Sequence, residues 1–266
     1  MRQGSPESPA ARWADALAAW AIPDHILASV TESPWALSPQ IFRKRVEEFA
    51  HADTPSRRRA LDALPEGGVV LDVGVGAGAA SLPLAGRAGL IVGVDERPEM
   101  LDAFSRESAG RGVAHERILG RWPEVSPSTP GADVVVCHHV FYNAPDLDHF
   151  ARALSQHARR RVVTEITESH PMSMHNDLWP VFHGIRRPTR PTAADAVAVM
   201  QEAGFDPKVE LWVRPKVARF KTRADLVAFV RVRLCLDPSR DRELDELLGA
   251  DPDVTPRGVA TIWWDP

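Results

Sequence analysis

The stretch with the clearest chemical potential is VVLDVGVGAGAASLPLAGRAGLIVGVDERPEML, running from Val69 to Leu101. Gly74, Gly76 and Gly78 alternate along one short turn. Glycines there allow positive φ and a close approach of backbone to ligand. Asp95 ends the next apolar run, where an acid can accept two hydrogen bonds from vicinal ribose hydroxyls. The unit therefore predicts a nucleoside-binding turn. Two registers compete for it. Gly74, Gly76 and Ala79 satisfy the dinucleotide pattern G-x-G-x-x-G/A, which keeps a nicotinamide-dependent oxidoreductase open. Asp72, Gly74, Gly76 and Gly78 satisfy an alternative, acid-x-Gly-x-Gly-x-Gly. The absence of a Tyr-x-x-x-Lys pair disfavours the oxidoreductase, because Tyr142, the only tyrosine, has no lysine near it.

A second group of reactive types follows in ADVVVCHHVFYNAPD, residues 132–146. His138 and His139 carry imidazoles whose ordinary pKa of about 6.5 suits a general base at neutral pH. Tyr142 and Glu165 are further candidates. Each has a plainer reading: a packed histidine, a core aromatic with a bonded hydroxyl, a carboxylate spent on a salt bridge. His170, His175 and His183 add imidazoles in a segment expected to face the substrate. Neither Cys137-His138-His139 nor these three reproduce a tetrahedral zinc spacing, and adjacent strand residues point to opposite faces, so no metal is expected.

The elements that must position these groups are legible in the periodicity. Short apolar runs rich in Val and Ile at 69–73, 90–94, 132–137 and 161–166 are separated by helix-length segments. That pattern predicts a parallel sheet covered on both faces. Weaker strands are expected at 114–119, 208–213 and 258–264, and a helix is expected directly after the glycine turn. Trp13, Leu17 and Trp20 share a helix face. Ser38-Pro39 and Thr54-Pro55 are helix starts. Phe42, Val46 and Phe49 fall on one face of the first of these, and the second runs to about Leu64. Further helices fit 192–203, 223–236 and 238–249. Residues 1–66 are thus expected as an N-terminal helical cap. Residues 67–266 form the core, with insertions at 168–191 and 215–257, all in one compact unit. Trp35, Phe42, Trp179 and Phe182 are expected to line the pocket or its lid, and core packing would explain them equally well.

Composition narrows the function classes. The chain has 266 residues, 44% hydrophobic and 26% charged, with a net charge of −4. A generic grip on nucleic acid or an anionic membrane calls for a basic excess, which is missing. Two cysteines suit a reducing compartment, and no apolar run approaches the roughly 18 residues of a membrane span. The expectation is a cytoplasmic protein; a small-molecule acceptor and a monomer or homodimer go with the family resemblance given next.

The motifs together resemble the class I S-adenosylmethionine-dependent methyltransferases of small-molecule type. The resemblance rests on the acid and three glycines, on Gly93-Val94-Asp95-Glu96-Arg97-Pro98-Glu99-Met100-Leu101, and on residues 132–146, with Cys137 and Asn143 in place of a Ser and a His. It covers about residues 67–167. It implies a Rossmann-like α/β fold: a mostly parallel seven-stranded sheet with an antiparallel last strand, plus N-terminal helices and helical insertions. It also implies S-adenosylmethionine as cofactor and S-adenosylhomocysteine as product. Asp72 and the glycines would hold the methionine end, Asp95 with Glu96 the ribose, and Met100 the adenine. Arg121, Trp122 and Cys137 would complete the cofactor pocket, with Trp122 stacking on the ring. The residues after the fourth strand would border the methyl group, which singles out His138 and His139 for methyl transfer to oxygen or nitrogen. A non-catalytic cofactor-binding protein is the remaining alternative.

Overall fold

The computed structural model describes residues 7–28, 30–35, 46–47, 52–214, 220, 222–249 and 257–266. The helix expected from Ser38, with Phe42 and Phe49, lies outside the described residues apart from Val46 and Glu47. The seven strands are β1 (Gly68–Val73), β2 (Ala88–Asp95), β3 (His115–Leu119), β4 (Ala132–His138), β5 (Ala158–Thr167), β6 (Lys208–Arg214) and β7 (Arg257–Trp264). They form one sheet in the order β3-β2-β1-β4-β5-β7-β6. β1 through β5 pair in parallel, while β7 runs antiparallel to both β5 and β6. The strand order reverses between β1 and β4, and ligands bind outside the carboxyl ends of the strands at such a point.

Both faces are covered, which is why the central strands read as unbroken apolar runs. Leu71, Val73, Val92, Val94 and Val135 face one core layer; Val70, Ile91, Val134, Val136 and Val163 face the other. The first layer is closed by α1 (Pro9–Ala18), α5 (Leu147–His157) and α7 (Ala193–Glu202); the second by α3 (Pro55–Ala63) and α4 (Pro98–Gly110). Among the described N-terminal elements, α1 and α3 pack on opposite faces of the sheet. Each carries an apolar side that only a sheet face can bury. Trp13 anchors α1, fully buried, with its Nε1 donating to the Ala144 carbonyl at 2.8 Å.

A third, smaller core joins the insertions. α2 (Asp24–Leu27), α6 (Trp179–His183), α8 (Arg223–Arg233) and α9 (Asp241–Leu247) bury Ile26, Trp179, Val230, Leu234 and Leu244 together. Trp179 and Phe182 belong to this satellite cluster, not to a lid over the nucleoside turn, and Trp35 is exposed. Among the described residues no helix is long and apolar enough to cross a membrane.

Two further expectations change. The segment after the glycine turn is not an α-helix but a run of turns with one 3-10 element, Leu82–Leu84. Gly78 and Gly86 bracket it, and Pro83 cannot donate the backbone bond that an α-helix would need at that position. The helix after Arg223 stops at Arg233, and Pro238–Arg240 form a separate 3-10 turn before α9.

Candidate active site

The carboxyl ends of β1, β4 and β5 and the start of α3 enclose an open cleft, lined by Gly74 to Ala77, Ala79 and Ala80 of the turn, by His138, His139 and Glu165, and by Thr54, Ser56 and Arg57. Gly74, Gly76 and Gly78 all hold positive φ, at 73°, 52° and 92°. A side chain at Gly74 would in addition meet Val140 Cγ2 at 2.4 Å, so this turn is available only to glycine.

Two carboxylates tie the turn to the sheet. Asp95 Oδ2 accepts from Gly76 N at 2.9 Å, and its Oδ1 accepts from Arg97 N at 3.0 Å. Burial raises the Asp95 carboxyl, against the two backbone donors that lower it. An ionised carboxylate has about four acceptor positions, so Asp95, half-buried, keeps capacity for further donors. Asp72 is fully buried beneath the turn. Its Oδ2 accepts from Ser81 Oγ at 2.6 Å, while its Oδ1 has no partner. Burial pushes its carboxyl up to about 7, opposed by the Ser81 hydrogen bond and reinforced by the negative charge of Asp95. Asp72 thus holds the loop from below and does not line the cleft.

Beside the turn, His138 closes β4 and Glu165 lies level with it on β5 as its register partner. The imidazole of His138 is enclosed, with Nε2 lacking any hydrogen-bond partner. Burial lowers its pKa; Glu165 counters the effect and Arg214 adds to it. His139 adopts φ 61°, unusual for a side chain other than glycine, and its N–H donates to the Glu165 carbonyl at 2.6 Å. Strain of this kind persists only where the surroundings enforce it.

Glu165 is the hub. Its Oε2 accepts from Ser56 Oγ at 2.7 Å, and its Oε1 accepts from Arg214 Nη2 at 2.8 Å. His139 Nε2 lies 3.2 Å from Oε1 and 2.7 Å from Arg214 Nη2. Burial alone would raise the Glu165 carboxyl. The hydrogen bond at His139 and the positive surroundings of His138, His139 and Arg214 outweigh it and hold the group well below the usual carboxylate range. Held ionised, with both oxygens engaged by Ser56 and Arg214, Glu165 is a weak base, and its hydrogen bonds organise the cleft. Ser56 and Arg214 escaped the sequence reading. Their only signals were a helix start at Thr54-Pro55 and a charge ending an apolar strand, neither of which points to Glu165.

The other expected site residues are scattered. Tyr142 is buried in the core layer, donating its hydroxyl to the Thr167 carbonyl at 2.7 Å. Burial pushes its pKa well above the ordinary value. Cys137 is fully enclosed mid-sheet, its thiol raised by burial and by Asp72. Trp122 sits in the same core layer, edge-on to His157 at 5.0 Å between ring centres. Met100 is buried in the first turn of α4, and Glu96 and Arg121 are exposed. None of these six lines the cleft, although Asp95 reaches it through Gly76. His170 is buried and stacked on Trp20 at 4.0 Å, and His183 Nε2 is bonded to the Leu234 carbonyl at 2.6 Å, so these two histidines of the insertion serve packing. Among the described residues, no group of three His, Cys, Asp or Glu is arranged to hold a metal ion.

Comparison with known proteins agrees with this geometry. Residues 70–161 match the family described as a methyltransferase domain. No curated protein matches the chain. Among solved structures, a cyclopropane-fatty-acyl-phospholipid synthase-like protein from Lactobacillus casei shares the fold at a TM-score of 0.55 and 16% identity, over 91% of this chain and 98% of its own. The YcgJ protein of Bacillus subtilis does so at 0.53 and 15%, over 79% of this chain and 97% of its own. A candidate methyltransferase of Bacillus halodurans matches at 0.53 and 16%, over the same shares. At such identities the structures speak for the fold alone, and the family match speaks for the domain. Residues 70–161, running from β1 into β5 around the glycine turn, thus carry a methyltransferase domain.

Proposed function

We propose that the protein transfers a methyl group from S-adenosylmethionine to an oxygen or nitrogen of a small molecule, with His138 as the group that takes the proton. The observation that carries this reading is the unpartnered Nε2 of His138, enclosed at the wall of the cleft next to the glycine turn. An enclosed nitrogen without a partner is costly, and a hydroxyl or ammonium on an acceptor would satisfy it. His139 is a weaker candidate, because its Nε2 is already engaged with Glu165 and Arg214.

The turn fits the cofactor on its own features: three glycines at positive φ, no room for a Cβ at Gly74, and an acid with spare acceptor capacity at Asp95. The cofactor supplies the activated methyl group. The protein must hold an acceptor atom about 3–3.5 Å from it and exclude water. Gly74 to Gly78 would cradle the methionine end, Asp95 the ribose, and the exposed Arg121 would border the adenine. Asp72 acts on the turn through Ser81. Glu165, fixed as an anion beside His138, stabilises the imidazolium that forms when the proton is taken. A cytoplasmic setting and a monomeric or homodimeric state complete the proposal. Two free cysteines and a net charge of −4 support that setting, and the acidic balance argues against nucleic-acid and membrane partners.

The test is calorimetric titration with S-adenosylhomocysteine beside NADH, followed by methyl transfer to a panel of phenols, amines and carboxylates. Binding of the first and not the second is expected. His138→Ala should then lower turnover by about 10²–10⁴-fold while leaving S-adenosylhomocysteine affinity unchanged. A His138→Ala enzyme of full activity would remove the base from His138, and binding without turnover of any acceptor would favour a non-catalytic protein.

A further inference from the structure

Residues adjacent on a strand ordinarily point to opposite faces. The positive φ of His139, 61°, breaks that alternation at the end of β4, and the rings of His138 and His139 both line the cleft beside Glu165. Two imidazoles next to one carboxylate compete for the same proton. Arg214, the last residue of β6, decides between them. It reaches across β7 and places Nη2 2.8 Å from Glu165 Oε1 and 2.7 Å from His139 Nε2.

A guanidinium keeps its charge and has donors only. Two nitrogens this close form a hydrogen bond only where one of them offers a lone pair. Nε2 of His139 is therefore the acceptor, and the single proton of the ring lies on Nδ1. A proton on Nε2, aimed at Glu165 Oε1 3.2 Å away, would meet the Arg214 donor at closer range. The imidazolium that lowers the Glu165 carboxyl belongs to the acid range in which that carboxyl titrates; near neutral pH the ring is the neutral partner of Arg214. Arg214 bears on His138 as well. Burial lowers the pKa of that ring most, Glu165 opposes, and the charge of Arg214 adds to the lowering. The other charged side chains described nearby are Arg57 of α3, on the same cleft, and Arg257 of β7, level with Arg214 and donating to Met174 Sδ.

We infer that Arg214 is a positioning residue of the methyl-transfer site: it commits His139 as a neutral N–H donor and leaves the lone pair of His138 as the one available to a proton. The tautomer stands on the geometry, and the division of roles rests on the methyltransferase reading. Long-range proton–nitrogen correlation spectra of the intact protein read the tautomer, with the His139 ring assigned from its loss in His139→Gln. Nδ1 protonated and Nε2 bare is expected at neutral pH, and a proton on Nε2 would overturn the inference without any change at Arg214. Arg214→Met should move the proton to Nε2, where Glu165 accepts it. Arg214→Lys, which keeps a charged donor, should hold it on Nδ1.

Removing the positive charge also favours protonated His138, the form that cannot act as base. The acid limb of kcat in Arg214→Met should therefore move to higher pH by about one unit, with KM for S-adenosylmethionine little changed, and Arg214→Lys should restore it. An arginine that only supports the fold would lower stability or turnover in both variants while moving neither tautomer nor limb, and that result would overturn the positioning role. A protein that binds no S-adenosylmethionine would remove the methyltransferase reading, while the spectra still decide the tautomer.

Discussion

Two regions of this molecule are rich in histidine and use it in opposite ways. At the carboxyl ends of β4 and β5, His138 and His139 stand beside a glycine turn and a buried carboxylate, and His138 is left without a partner. In the insertion after β5, His170 is sandwiched between aromatic rings and His183 is bonded to a backbone carbonyl. The residue type is the same; the difference is whether the fold leaves a nitrogen unsatisfied in a space that a ligand can enter. An imidazole whose hydrogen bonds are complete contributes packing, and one whose hydrogen bonds are incomplete waits for a ligand.

This contrast can be broken most forcefully at Glu165. Replacing it with alanine leaves Arg214 buried without its anion, and a loss of about 3–5 kcal/mol is expected in urea unfolding. The sign of its pH effect follows from its low folded-state pKa. The stability due to Glu165 is complete above the ordinary glutamate pKa of about 4.3 and is lost as pH falls below it. The acid limb of the stability curve should therefore flatten in Glu165→Ala. A variant as stable as the parent would show that the cluster does not hold the cleft together.

On the other side of the comparison, Trp179→Ala empties the centre of the satellite core. It should cost about 3 kcal/mol, toward the low end for a buried aromatic because a small cluster can partly collapse. The folded fraction should bind S-adenosylhomocysteine as before; a parallel loss of affinity would join the insertion to the cofactor site. Asp95→Ala tests the cleft from the cofactor side. It removes the acceptor of Gly76 N and, in the proposed function, that of the ribose, so S-adenosylmethionine binding should weaken by about 1–3 kcal/mol by calorimetry.

The smallest effect belongs to His170. Burial, then the charges of Arg187 and Arg233, lower its pKa to about 4. The folded state thus disfavours the protonated ring, and stability falls as pH drops from about 6.5 toward 4. His170→Phe should keep the stack on Trp20 and remove that slope from the melting temperature measured over this range. An unchanged slope would mean that the pH sensitivity arises elsewhere, with His138 the next group to examine.

Legibility followed the range of the interaction. All seven strands were predicted within a few residues, because continuous Val and Ile runs between turn signals leave little else for those segments to be. The glycine turn and Asp95 were equally plain, since a backbone at positive φ and an acid at a strand end are local requirements. The α-helix expected after the turn was not found, because a helix-length interval between strands outweighed Pro83 and the flanking glycines in the reading. Trp179 and Phe182 were read as pocket residues because aromatic type does not tell which of two cores an insertion will join. Trp122, Cys137 and Tyr142 were near the right strand ends, yet their side chains turn into the core layer.

What the sequence determined by itself was therefore the sheet, the turn at its carboxyl edge and the class of ligand that turn suits. Those depend on residue order within about 30 positions. The tertiary structure alone decided which polar groups share the cleft. Ser56, Glu165 and Arg214 come from α3, β5 and β6, separated by 109 and 49 residues along the chain. No spacing rule links them, since their meeting depends on how α3 packs on the sheet and on the antiparallel return of β6 beside β7. The unmet Nε2 of His138 was decided the same way, because an unmet hydrogen bond becomes visible only when every neighbour is in place.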